Sequence, residues 1–148
     1  MSNLEYLKKA VSGMLREFEK SPFAFPPPIA KTLGFSLVGV DEGRADVEID
    51  ARTVVHSNPV GTIHGGILCD VADAAIGVAH MTTLKEGETF TSIDLQINFF
   101  RPVWNERLNS FGVPSESCKN DFSVCLRYQE GRRKTRCASD EHGHDTAR

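Results

Sequence analysis

The sequence predicts an α+β domain: a curled antiparallel sheet wrapped around one long buried helix. Three stretches lead there. From Gly65 to about Leu84 runs the most apolar long segment of the chain, and Ile67, Leu68, Val71, Ala74, Ala75, Ile76, Val78 and Ala79 occupy most of a helical circumference. A helix apolar nearly all round is a helix covered nearly all round. Ala45, Val47 and Ile49 alternate with Arg44, Asp46, Glu48 and Asp50, the pattern of a half-buried antiparallel strand. Ile93, Leu95, Ile97 and Phe99 repeat that period of two, with Asp94, Gln96 and Asn98 on the other face. A sheet with one apolar face and a helix that must be covered satisfy each other by stacking in layers.

In chain order, Leu4, Leu7, Val11, Met14, Leu15 and Phe18 recur at helical spacing and predict an amphipathic opening helix, ended by Ser21-Pro22. Pro26-Pro27-Pro28 reads as a stiff extended linker that fits neither helix nor central sheet. Strands are expected near Gly34–Asp41 and Arg44–Asp50, joined by a hairpin turn at Asp41-Glu42-Gly43. His56 to His64 is a loop punctuated by Asn58-Pro59 and Gly61. After the long helix, Lys85-Glu86-Gly87-Glu88 turns the chain into the strand that Arg101-Pro102 closes. The organisation is residues 1–30 as helix and linker, and 31–148 as the folded domain.

A chain of 148 residues with 40% hydrophobic and 25% charged residues supports a single sizeable core. The net charge of −3, with no basic patch interleaved with aromatics, argues against a nucleic-acid partner. No apolar run reaches the roughly 20 residues of a membrane span. Met1-Ser2-Asn3-Leu4-Glu5 lacks the basic-then-apolar layout of a signal peptide, so the expected location is cytoplasmic. Cys69, Cys118, Cys125 and Cys137 form no C-x-x-C pair and match no zinc or redox spacing, which makes them free thiols there.

Asp73 stands out chemically, because it lies inside the helix expected to be buried. A buried carboxylate is paired, neutralised or functional. Asp70, Asp73, Gly77 and His80 share a face by three-to-four spacing, so a plain polar stripe is one reading and a functional carboxylate the other. Gly65-Gly66, directly after His64, sits where the helix begins. Unpaired backbone N–H groups and the positive end of the helix dipole meet there, and glycine lets a ligand approach closely. Such an end can polarise a carbonyl and hold an oxyanion. Asp73 lies two turns further on, about 12 Å by helix rise, so one carbonyl is poorly placed to touch both. Combining the Gly-rich end of one subunit with Asp73 of another would demand a dimer.

Asn58-Pro-Val-Gly-Thr-Ile-His64-Gly65-Gly66, followed by Ala72-Asp73-Ala74 and by Ser92-Ile-Asp-Leu-Gln-Ile-Asn-Phe-Phe-Arg-Pro102, closely resembles the PaaI-type hotdog thioesterases over about residues 33–104. The resemblance implies a hotdog fold that hydrolyses the thioester of an aryl- or medium-chain acyl-CoA. It implies Asp73 as general base on water or as nucleophile, and the Gly65 N–H, flanked by Gly66, as the group that binds the thioester carbonyl. Asn58 would help place the water or the carbonyl, Ser92 would lie close by, and His64 would shape the loop rather than titrate. Homodimers or homotetramers with active sites at the subunit interface are implied as well, without metal or redox cofactor. Two alternatives use the same fold: an acyl-thioester hydratase or dehydratase pairing His64 with Asp73, and a non-catalytic acyl-CoA-binding module.

After Trp104 the expected alternation fades. Pro114, Ser115, Ser117, Lys119, Asn120 and Asp121 precede the basic run 131–136 and the polar run 140–145, and only Phe122, Val124, Leu126 and Tyr128 alternate. That composition resembles a shifted reading frame more than a core-forming sheet, and residues 105–148 are expected to be partly disordered or poorly packed. Arg132, Arg133, Lys134 and Arg136 read as a solvated run. Cys137, His142 and His144 lack a fourth ligand for zinc. His56 reads as a loop residue and Trp104 as packing.

Overall fold

In the computed structural model, which describes residues 1–16, 23, 25–114 and 122–128, Ser2 opens α1 (Asn3–Val11) with a capping box. Its hydroxyl accepts from the Glu5 N–H while the Glu5 carboxylate accepts from the Ser2 N–H. The helix stops at Val11, short of the expected Phe18. Ser12 turns its hydroxyl back onto the Lys8 carbonyl at 2.9 Å, and Gly13 takes the left-handed conformation (φ 68°) that ends helices. Pro28 belongs to a helix after all, as the first residue of α2 (Pro28–Leu33), where a missing N–H costs nothing and φ is already helical.

β1 (Phe35–Asp41) and β2 (Arg44–Ala51) form the expected hairpin, with Asp41 opposite Arg44 and Gly43 at φ 68° in the turn. The Gly43 N–H donates to the buried Thr82 hydroxyl at 2.7 Å, which fixes the hairpin tip to the end of α4 (Gly65–Met81). Between these, a single helical turn, α3 (Thr53–His56), precedes the loop expected from His56 onward. β3 (Glu106–Pro114) and β4 (Phe122–Tyr128) complete a four-stranded antiparallel sheet in the order β1-β2-β3-β4. β3 is therefore an inner strand, in register with β2 from Ala45↔Gly112 to Ala51↔Glu106, although it lies in the stretch expected to pack poorly. Residues 115–121 and 129–148 of that stretch, with the Cys137, His142 and His144 trio, fall outside the described residues.

α4 lies across the sheet. Leu68, Val71 and Ala75 pack with Val47, Ile49 and Leu108 in one core cluster, and Ala72 and Ala79 are buried as well. At the closest point a Cβ on Gly112 would run into the Ala75 carbonyl oxygen, so only glycine fits there. The helix is not covered all round as expected: Asp70 and Asp73 are exposed.

The Ile93–Phe99 alternation does not form the expected strand. Residues 88–100 form no regular element and join no ladder among the described residues, and Ile93 is 95% exposed. Period two reports that successive side chains point opposite ways; it does not supply a neighbouring strand. The segment instead runs back along α4. Phe90 meets His80 edge-on with centroids 4.9 Å apart, Ser92 reaches Asp73, and Phe99 lies over Gly65.

Candidate active site

Asp73 sits on the α4 face turned away from the sheet because Val71, Ala72 and Ala75 take the sheet side. Its Oδ1 accepts a hydrogen bond from the Ser92 hydroxyl at 2.8 Å. Both residues line a cavity of about 560 Å³. Apart from Asp70, Asp73, Ser92, Ser36 and Lys31, the lining is apolar or glycine. Ala74, Gly77, Val78 and Met81 of α4 form one wall, joined by Phe90. Leu37 of β1 and Val47 of β2 contribute from the sheet, and the opposite side comes from Val11, Phe25, Pro26, Pro27 and Ile29. A carboxylate and a hydroxyl at an apolar cavity match what ligand sites offer: a few polar groups fix orientation while apolar walls supply affinity. The stripe Asp70, Asp73, Gly77 and His80 is thus real, and three of its four members face the cavity.

At the other end of α4 the N-terminal N–H groups are divided. His64 is the N-cap, and its Nδ1 accepts from the Gly66 N–H at 2.9 Å. An Nδ1 that accepts leaves the ring proton on Nε2, which fits a shaping role for His64. The Gly65 N–H has no hydrogen-bond partner among the described residues and remains available at the positive end of the dipole. Phe99 packs so near Gly65 that an added Cβ would come within 3.0 Å of its ring, a second reason for glycine here.

Asn58 organises its own loop. Its Oδ1 accepts from the Val60 and Thr62 N–H groups at 3.0 and 3.2 Å, and its amide donates to the Thr62 hydroxyl at 2.8 Å. The loop carries His64 to the helix start, where the His64 N–H donates to the His56 carbonyl at 2.8 Å. His56 is buried: its Nδ1 accepts from the Arg52 N–H and its Nε2 donates to the Leu33 carbonyl, so its role is structural. Trp104, expected to pack, is 49% exposed, and its neighbour Val103 takes the core position.

Sequence reasoning singles out Asp73 and Ser92, which the structure brings together, Gly65 and Gly66 with their cap His64, two helical turns away, and Asn58, in the loop before that cap. It misses the cavity wall. Val11 was visible as part of an apolar stripe and Phe25 to Pro27 as a linker, but nothing in their spacing says that they face Asp73. Among the described residues no group of three or more His, Cys, Asp or Glu side chains is placed to hold a metal, and no helix is long and apolar enough to cross a membrane.

Residues 18–106 match the model of a family described as a domain of unknown function, DUF4442. A candidate esterase of Haemophilus influenzae is 29% identical over 99 residues, covering 66% of this chain and 70% of that protein. The 1,4-dihydroxy-2-naphthoyl-CoA hydrolase of Listeria monocytogenes is 26% identical over 70 residues, 47% of this chain and 56% of its own length, so the chain spans little more than half of that relative. Among solved structures, a candidate thioesterase described as a phenylacetic acid degradation-related protein, from Ralstonia eutropha, aligns with a TM-score of 0.63 at 23% identity, covering 86% of this chain and 91% of that one. The fold is the hotdog of the PaaI-type thioesterases, as the sequence implied.

Proposed function

The chain belongs to the DUF4442 family, and within it we propose that this protein is a thioester hydrolase acting on an aryl- or medium-chain acyl-CoA. Its relatives carry the names esterase and CoA hydrolase, which supports the reaction class. The observation that carries the reading is the Asp73 carboxylate, held by the Ser92 hydroxyl at 2.8 Å, at an apolar cavity large enough for an acyl group.

In the proposed mechanism the acyl group lies in the cavity with the thioester carbonyl near Asp73. Asp73 removes a proton from water, and the resulting hydroxide adds to the carbonyl carbon. The oxyanion is held by a Gly65 N–H; collapse breaks the carbon–sulfur bond, and the proton on Asp73 returns to the departing CoA thiolate. In the nucleophilic variant the carboxylate itself attacks, expels the thiolate and is freed by water. Both use only a carboxylate, water and backbone dipoles. The Ser92 hydroxyl orients the carboxylate. His64 holds the Gly66 N–H and so leaves the Gly65 N–H as the donor, while Asn58 stabilises the loop that delivers both.

Gly65 and Asp73 stand about 12 Å apart on one helix, so a complete site takes its Gly65 N–H from a second copy. A homodimer, doubled to a homotetramer, with active sites at the interface is the assembly proposed, working in the cytoplasm without metal or nucleic acid.

A panel of aryl- and alkyl-CoA thioesters separates this reading from its rivals. Equal yields of free thiol and free acid support hydrolysis. Tight binding with an intact thioester would favour the acyl-CoA-binding module. Interconversion of enoyl and hydroxyacyl thioesters without thiol release would favour the hydratase.

A further inference from the structure

The cavity follows α4 from Asp70 to Met81, and Asp73 stands one turn from its first end. From Asp73 to Met81 is eight residues, about 12 Å by helix rise, and this is the length of apolar wall open to a group held at the carboxylate. Val78 lies a little more than halfway along that run. At its far end the Asn3 side-chain amide donates to the Met81 carbonyl at 3.2 Å and seats the start of α1 on the last turn of α4. Buried Tyr6 and Leu7 hold α1 in place. A ladder of edge-on rings ties α1 to the proline-rich segment: Tyr6 to Phe23 with centroids 5.6 Å apart, then Phe23 to Phe25 at 6.5 Å. The wall facing α4 is therefore braced, and cavities with braced walls discriminate by size.

We infer that this run is a length gauge for the acyl group, with Val78 along the wall and Met81 at the end as the residues that set the limit, and with α1 and the proline-rich segment as the brace. The inference rests on the acyl-thioester reading of the same site and adds to it which residues choose the substrate. A medium-length chain fills 12 Å; a fully extended long chain does not fit. Acyl length is read by contact, since each methylene that finds apolar wall adds affinity and each that finds none adds nothing.

The test uses alkyl-CoA thioethers, which bind without being cleaved, in a butyl to hexadecyl series, measured calorimetrically with the full chain. Affinity is expected to climb with length to a medium-chain optimum and then level off or fall. Val78→Trp should move the optimum to shorter chains, weakening decyl-CoA by about tenfold, the effect of losing about two buried methylenes, while butyl-CoA changes little. Met81→Ala, which shortens a side chain instead of adding one, should move the optimum toward longer chains. Affinity independent of length, or an optimum that neither variant moves, would overturn the gauge. Graded thioether binding without thiol release from the matching thioesters would sustain the gauge and overturn the hydrolase reading, so the two ideas fail separately.

Discussion

The two faces of α4 follow opposite rules. Toward the sheet the helix carries Val71, Ala72, Ala75 and Ala79, all fully buried, and meets a glycine, Gly112, at its closest approach. Toward the cavity it carries Asp70, Asp73 and Gly77, with polar atoms exposed and one hydrogen bond, from Ser92, spanning the gap. The first face lets backbone approach backbone, so its residues are chosen for what they lack. The second keeps a carboxylate accessible beside apolar wall, so its residues are chosen for what they offer. One helix thereby separates stability from chemistry, and substitutions on the two faces should leave separate signatures.

The largest effect on the first face is expected from Gly112→Ala. The added methyl meets a helix carbonyl, which cannot rotate away, and the strain should cost about 3 kcal/mol in denaturant unfolding. KM of the surviving folded fraction should not move. On the second face, Ser92→Ala removes the only hydrogen bond to Asp73 found among the described residues. It should lower kcat by about fivefold, equivalent to about 1 kcal/mol, with unfolding unchanged. A Ser92→Ala protein that unfolds early but turns over normally would erase the distinction between the faces.

Ser110 tests the first face from the other direction. Its hydroxyl is fully buried with no hydrogen-bond partner among the described residues, so Ser110→Ala should be neutral or stabilising by up to about 1 kcal/mol, read from the unfolding midpoint. The smallest effect lies outside both faces. The Lys8 ammonium, 2.8 Å from Asp41, and the Glu42 N–H hold the Asp41 carboxyl below its ordinary pKa. A carboxyl whose folded pKa is depressed stabilises the fold above the ordinary carboxylate range and loses that contribution as pH falls through the folded value. Lys8→Met should therefore lower stability slightly at neutral pH and converge with the wild type in acid, as an exposed pair allows only a small difference.

The same contrast explains what the sequence discloses. Asp73, Ser92 and the helix start at Gly65 are legible because polar residues and glycines interrupt apolar patterns there. The β1–β2 hairpin is legible because its second strand has one wet and one dry face. β3 was not, and the reason is the closeness of α4. Leu108, Ser110 and Gly112 share the face that meets the helix, and close approach requires two of them to be small, which erases the alternation that marks a strand. The Ile93–Phe99 run misled in the opposite sense, since its alternation is strong yet it lies along α4 with no strand beside it among the described residues. Gly13 also ended α1 before the apolar spacing did, a reminder that a backbone conformation outranks a side-chain pattern.

The central claim is that Asp73, rather than the negative charge of the cavity as a whole, carries out the reaction. Asp70 supplies the control, since it faces the same cavity from the same helix, one turn away. The measurement is thiol release from a medium-chain acyl-CoA by Asp73→Asn and Asp70→Asn beside the wild type, each normalised to folded protein. Loss of about 100-fold or more in Asp73→Asn, with Asp70→Asn within a few fold of the wild type, is the result this account predicts. Equal losses in both variants, or no loss in either, would contradict it.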